Sequence, residues 1–349
     1  MNELAVRQST AQGSNTAMVI GGRLFLKTFR RLQSGESPEV ELGRFLTEVA
    51  HFPNIVPVAG AVEYVSNDGD LMTLAVLQGY VENQGDGWTY TLNYLERYLE
   101  EHRGSVEPPV SPADAHGGYL NLIQVLGQRT GELHRALAMS TGDPAFEPEA
   151  VDRREIAEWK HRVREEADAT LGLLEQRLDA LPEDVRVMAA SLIERRKIVH
   201  HRIEESAPEG LETLKIRYHG DYHLGQVLLR QNDFVIIDFE GEPARTLDER
   251  RRKHSPLRDV AGMLRSFNYE AYTAASHMTA EQSEDSVQVG AAIREWETEV
   301  ARTFLQSYEA HVRIAGIYSE WDQARGLLRL FMLEKAFYEL RYELNNRPT

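Results

Sequence analysis

His219-Gly220-Asp221-Tyr222-His223-Leu224-Gly225-Gln226, followed by Val235-Ile236-Ile237-Asp238-Phe239-Glu240, is the stretch on which the reading of this chain turns. It places one carboxylate after a tight Gly turn, an amide five residues later, and a second carboxylate at the end of a β-branched run. A carboxylate beside an acceptor hydroxyl can orient it and take its proton, and neutral and anionic oxygens together suit a Mg²⁺ that bridges nucleotide phosphates. Asp221 therefore reads as a general base, and Gln226 and Asp238 as metal ligands. The plainer alternative for Asp221 is a turn cap after Gly220. His219 and His223 stand four apart, the spacing of a zinc pair on a helix, but Gly220 disfavours a helix there and the chain has no Cys. Structural hydrogen bonding is the better reading for them, with His223 also within reach of phosphate or substrate.

Bulk properties set the frame around this motif. The 349 residues suffice for one large domain or two modest ones, and 42% are hydrophobic without an apolar run of membrane-spanning length. A formal net charge of -16 argues against a partner with a phosphate backbone and against docking on an anionic membrane. The absence of Cys removes disulfides, thiolate chemistry and Cys-based metal centres. Met1 to Arg7 carries no apolar signal segment, so a cytoplasmic protein is expected.

Upstream of the motif, residues 1–80 read as a β-rich lobe and residues 81–349 as a mainly helical one, an α+β arrangement. Strands are expected at 4–6, 17–20, 24–27, 57–64 and 72–77, with a Gly21-Gly22 hairpin turn and a helix at 39–48. A Gly-containing connector at 81–88 leads to helices at 90–101 and 121–138, separated by a Pro/Gly-rich loop at 104–115. Two long charged helices, 151–181 and 183–206, divide at Leu181-Pro182, and 257–276, 290–313 and 321–346 are the terminal helices. Lys27 ends the third strand, where an ammonium can pair with phosphates. Glu41 on the following helix is the expected partner of that ammonium. Ser14, Asn15 and Thr16 lie in the turn-rich loop before the second strand, where backbone N–H groups and short polar side chains can cradle phosphates. Glu240 either joins the metal shell, contacts sugar hydroxyls or is simply solvated. Asp259, at the start of a helix, can hydrogen-bond the backbone of the catalytic loop. Lys335, Tyr338, Glu339 and Tyr342 share one face of the last helix, a surface on which rings stack and hydroxyls are fixed; packing of the two tyrosines on the core is the alternative.

Together these residues resemble the aminoglycoside-phosphotransferase-like branch of the protein-kinase fold, whose HGDxxxxN signature aligns with His219 to Gln226, with Gln in place of the usual Asn. Longer strings are similar to bacterial maltokinases: HGDYHLGQVL, IDFEGEPARTLDERRRKHSPLRDVAGMLRSF, KAFYELRYELNNRP, LFLKTFRRLQSGESPEVELGRFL and GDGWTYTLNYL. The resemblance implies a bilobal kinase-like fold that uses ATP and Mg²⁺ to phosphorylate maltose to maltose 1-phosphate in trehalose and α-glucan metabolism. It also implies a link to trehalose synthase, to which such domains are fused in many bacteria. Maltokinases that stand alone usually carry an N-terminal cap, whereas this sequence starts almost at its first strand, so a fragment of a longer chain or a capless version is expected. Two other readings are a kinase for another sugar or an aminoglycoside-like molecule, and a non-catalytic nucleotide-binding module of a glucan enzyme.

Overall fold

A computed structural model describes residues 4–8, 15–101, 112–208, 210–279 and 286–346. Its first part is an antiparallel sheet of order β1-β2-β3-β5-β4, built from β1 Val6–Gln8, β2 Thr16–Ile20, β3 Leu24–Thr28, β4 Val58–Val65 and β5 Leu71–Gly79. Gly21 and Gly22 turn β2 into β3 with φ of 60° and 65°, a conformation that L side chains resist. The resulting register sets Lys27 opposite Ala17 on one side and Val76 on the other.

Helix α1, Pro38–Arg44, lies against this sheet and continues into a single π-helical turn, Phe45–Val49, in which Ala50 N–H bonds Phe45 C=O. Val40 of α1 packs with Val58 and Val76, while Leu42, Phe45 and Leu46 reach the main core. Gly43 permits the close approach, since a Cβ there would meet Val58 Cγ2 at 2.4 Å.

The remainder is mostly helical. It comprises α2 Gly87–Glu101, α3 Pro112–Leu137, α4 Arg153–Arg177, α5 Glu183–Glu194, α6 Arg196–Glu205, α7 Leu247–Arg251, α8 Leu257–Thr279, α9 Ser286–Val312 and α10 Trp321–Asn346. Short strands β6 Glu149–Ala150 and β7 Leu214–Lys215 pair with each other, and β8 Val227–Arg230 pairs with β9 Asp233–Ile236. The β8–β9 hairpin bridges both parts of the molecule, through Ile55 to Ile236 and through Asp86 to Leu228. Trp296, Phe267, Phe304, Tyr308 and Phe331 fill the helical core.

The first strand, expected at 4–6, is Val6–Gln8, and three larger differences follow. The loop expected at 104–115 is helical from Pro112 onward, a first-turn proline whose missing N–H is no loss there. The helix expected at 183–206 breaks at Arg195, which is out of helical conformation. Helix α7, unforeseen in the sequence, is short and stabilised by a capping box between Thr246 and Glu249. Among the described residues no helix is long and apolar enough to cross a membrane.

Candidate active site

Alternation along β3 sends Phe25 and Lys27 to the same face, where their cross-strand neighbours Val19 and Ala17 join them. That face roofs a cleft of about 740 Å³ whose floor includes Leu228 and Ile237 and whose back is Gly79 to Val81. At its inner end the Lys27 ammonium donates to Glu39 Oε2 at 2.8 Å and Asp238 Oδ1 at 2.6 Å, and lies 2.5 Å from Glu240 Oε1. Burial disfavours the charge on Lys27, but Glu39, Asp238 and Glu240 outweigh it and raise the pKa above the ordinary lysine value. Burial, with Asp238 and Glu240 nearby, pushes Glu39 up to about 7 in spite of Lys27. Burial also works against ionised Asp238, yet Lys27, His219 and a hydrogen bond from Gln226 hold its carboxyl below the usual range. Its φ of 65° is rare for a residue with a side chain, and such strain is concentrated at functional sites.

Several expected residues stand elsewhere. Glu41 does not face Lys27; Glu39 does, and Glu41 points to Arg217 and Arg251. Two residues along a helix are about 200° apart, so only one of the pair can reach the ammonium. Glu240, for which a metal, a sugar or solvent contact was expected, is held by Lys27 beside Asp238 rather than facing the second cavity, and accepts from Asn15 Nδ2 at 2.6 Å. Asn15 lines the cleft, whereas the Thr16 hydroxyl accepts from Arg30 on the exposed side. Ser14 lies outside the described residues.

The loop at 219–226 is held from beneath by Asp259 of α8. Its two oxygens accept from His219 N at 2.8 Å and Gly220 N at 2.9 Å. His134 Nε2 lies 3.2 Å from the same carboxylate, and its Nδ1 meets the Tyr308 hydroxyl. His219 is fully buried; Nε2 donates to Ile237 C=O at 2.8 Å, while Nδ1 accepts from Asp221 N at 3.3 Å. Burial lowers its pKa, consistent with this neutral tautomer, and the imidazole thus ties the loop to the residue before Asp238. Gly220, at φ 85°, turns the chain so that Asp221 faces a second cavity. Burial, then the Glu242 carboxylate, push Asp221 up to about 7, opposed by Lys335 Nζ at 4.0 Å. His223 Nε2 is 4.0 Å from Asp221 and its Nδ1 accepts from Gly225 N; burial lowers it to about 4. The two histidines therefore serve separate partners, and His223 lines neither cavity.

The second cavity, about 320 Å³, has Tyr218, Glu242, Arg258 and Glu334 among its walls together with Lys335 and Tyr338 of α10. The Tyr338 hydroxyl donates to Glu242 Oε1 at 2.9 Å, Lys335 Nζ is 3.5 Å from Glu242 Oε2, and Lys335 sits over the Tyr338 ring at 5.0 Å. Glu339 and Tyr342 do not line it. The helix arc that faces the cavity runs through Phe331, Glu334, Tyr338 and Arg341 with Lys335 at its edge, so Glu339 turns past that edge and pairs with Arg265 at 2.7 Å. Tyr342 keeps the angle but lies roughly 10 Å further along the axis than Lys335, and is 49% exposed. Glu242 is the main residue the sequence reading passed over, although it sits in the quoted string two positions after Glu240.

Asp238, Glu240 and Glu39 form the one group among the described residues whose carboxylates converge closely enough to hold a metal ion. Three carboxylates around a single ammonium leave an excess of negative charge, and all donors are hard oxygens. That set fits Mg²⁺ or another hard divalent cation.

No family model matches the chain. A glucosamine kinase of Mycolicibacterium smegmatis (strain ATCC 700084 / mc(2)155) is 25% identical over 346 residues, 98% of this chain and 76% of the relative. A glucosamine kinase of Streptacidiphilus jiangxiensis is 26% identical over 235 residues, 67% of this chain, and the match spans less than half, 46%, of that protein. Among solved structures, a glucosamine kinase in crystal form B superposes with a TM-score of 0.71 at 20% identity, over 99% of this chain and 76% of that one. A glucosamine kinase in complex with glucosamine, ADP and inorganic phosphate gives 0.70 at 19% identity, over 100% and 76%. With the five-stranded sheet followed by the helical part, these likenesses make the fold α+β, bilobal and kinase-like.

Proposed function

We propose that the chain is a kinase that moves the γ-phosphoryl group of ATP to a sugar hydroxyl. The observation that carries this is the placement of Lys27, Glu39 and Asp238 at the inner end of one cleft, with Asp221 facing an adjoining cavity. Residues 1–80 supply the lobe over the nucleotide, and 81–349 the catalytic loop and acceptor site. The apolar walls of the larger cleft suit a nucleobase, and Lys27 holds the phosphates. Asp238, with Glu240 and Gln226, would hold Mg²⁺, which supplies positive charge against the phosphate oxygens. Asp221 orients the acceptor hydroxyl and accepts its proton; a pKa near 7 is close to ideal for a group that must take a proton at neutral pH. Lys335 favours its ionised form. Glu242 and Tyr338, already hydrogen-bonded to each other, are placed to fix other hydroxyls of the sugar.

The finer reading is maltose as acceptor and maltose 1-phosphate as product, from the resemblance of the quoted strings to maltokinases, and with it an association with trehalose synthase in the cytoplasm. Glucosamine is the second reading, favoured by the names of the relatives. The lining of the acceptor cavity mixes Arg162, Arg245, Arg258 and Arg341 with its carboxylates, which suits a neutral sugar better than a cationic one. Phosphorus NMR of the protein with MgATP and either sugar tests this. A maltose-dependent sugar 1-phosphate signal is expected; product from glucosamine alone would move the assignment to that sugar. Nucleotide binding without product from any sugar would leave only the non-catalytic module.

A further inference from the structure

Helix α1 carries two buried glutamates that point in different directions. Glu39 meets Lys27 in the nucleotide cleft. Glu41 meets Arg217 Nη1 at 2.8 Å, and Arg251 at 2.9 Å through Nη2 and 3.0 Å through Nε. Arg251 also reaches Glu36 at 3.1 Å, so the groups facing Glu41 are two guanidiniums, one of them shared with a second carboxylate. The places of these arginines in the chain matter. Arg217 comes two residues before His219-Gly220-Asp221, and Arg251 belongs to α7, which follows the Asp238–Glu240 segment. Glu41 is therefore gripped by the segments leading into the catalytic loop and away from the metal-binding carboxylates.

Arg217 is only 2% exposed, and among the described residues its Nε and Nη2 have no hydrogen-bond partner. Its guanidinium lies 5.2 Å from the centre of the Phe146 ring, which stacks on Phe45 just after α1 at 3.9 Å. A buried guanidinium with spare donors stabilises a fold less well than an apolar side chain of similar size. Fold stability alone thus gives no reason for an arginine at this place.

We infer that α1 couples the two halves of the site: nucleotide on Lys27 fixes Glu39, and the helix passes that constraint through Glu41 to Arg217 and the catalytic loop. Arg217 and Glu41 are then positioning residues that touch neither substrate. The inference rests on the kinase reading above, but it concerns coupling, whichever sugar is the acceptor. Couplings between sites are typically about 5- to 150-fold in affinity, enough to be read in exchange and kinetics.

The test compares the parent with the double variant Glu41→Leu/Arg217→Met, which removes both charges without leaving either buried alone, and with Arg217→Lys, which keeps the charge but loses the forked donor. Hydrogen exchange of residues 38–49 and 217–224 is followed with and without MgATP, beside thermal melting, kcat and the KM for ATP. In the parent, MgATP is expected to slow exchange at the catalytic loop. The double variant should melt as a folded protein and bind MgATP within a few-fold, yet lose the protection at 217–224 and about 10- to 100-fold in kcat. Arg217→Lys should recover part of both.

Parent-like protection and kcat in the double variant overturn the inference. So does a loss of kcat that vanishes once the folded fraction is corrected for. Should the double variant fail to fold, Arg217→Lys with parent-like protection and kcat overturns it equally. A parent that shows nucleotide-dependent protection but phosphorylates no sugar sinks the kinase reading and leaves the coupling standing; a parent without such protection sinks the coupling.

Discussion

Asp221 is the residue on which the proposed chemistry depends most directly. As a base it works ionised, and its pKa stands near 7, raised by burial and by Glu242 and restrained by Lys335. Ionised Asp221 is the working form, so kcat/KM, which reports the free protein, should fall as pH drops below about 7 and level off above it. Asp221→Asn should keep MgATP affinity, lose about 10²- to 10⁴-fold in kcat and flatten that limb of the profile. Near-parent turnover in this variant, with the same pH limb, would remove Asp221 from the mechanism. Lys335→Met takes away the cation 4.0 Å from Asp221, so the same limb should shift to higher pH. An unmoved limb in a folded Lys335→Met protein would mean that Lys335 does not set the base, and steady-state rates between pH 5.5 and 9 decide it.

Helix α8 does for the site what no single catalytic side chain can. Asp259 in its first turn accepts from the His219 and Gly220 amides, and one turn on, Gly262 lies against the same loop. A Cβ at Gly262 would sit 2.6 Å from Tyr222 C=O, which is backbone and cannot swing aside. Gly262→Val should therefore push the loop and the helix apart, lowering stability by about 1–3 kcal/mol and kcat by more than the lost folded fraction explains. Unchanged melting and turnover would show that the contact has slack. The element scale is also where the sequence was least legible. Asp221, Gln226 and Asp238 were legible as candidates because a turn, a fixed spacing and a strand mark them within one short stretch, with Gln226 and Asp238 on the larger cleft and Asp221 on the second cavity. Glu39 could not be told from Glu41, nor Tyr338 from Glu339, because pattern gives a helix its faces but packing decides which face meets which partner. Helix α7 was missed for a different reason: five residues are too few for a periodic signal, although the Thr246-x-x-Glu249 capping box that starts it is written in the sequence.

On the scale of the whole molecule, the polypeptide joins its sheet to its helices through charge as well as through apolar contact, and buried charge makes stability depend on pH. Asp221 and Glu39 have raised pKa values that belong to the site. Glu270 of α8 is a third case outside it: the side chain is fully buried, neither carboxylate oxygen has a partner among the described residues, and burial, with Asp86 and Glu96 adding, pushes it up to about 8. In the unfolded chain it titrates near the ordinary 4.5. Below that value both states hold the proton and Glu270 favours neither. Between about 4.5 and 8 the folded state alone keeps it, so unfolding releases a proton and stability falls as pH rises, by about 1.4 kcal/mol per pH unit for a single group. Above about 8 the loss is complete. Glu270→Gln carries an amide of the same shape whose burial cost does not change with pH. Its stability relative to the parent should therefore be lowest near pH 4 and grow to a few kcal/mol by pH 8, while the slope from Asp221 and Glu39 remains in both proteins. Urea unfolding of the two at pH 5, 6.5 and 8 measures that difference. Curves that run parallel across the three values would mean that Glu270 is ionised or solvated in the folded state, and that the pH dependence of the molecule arises from other groups.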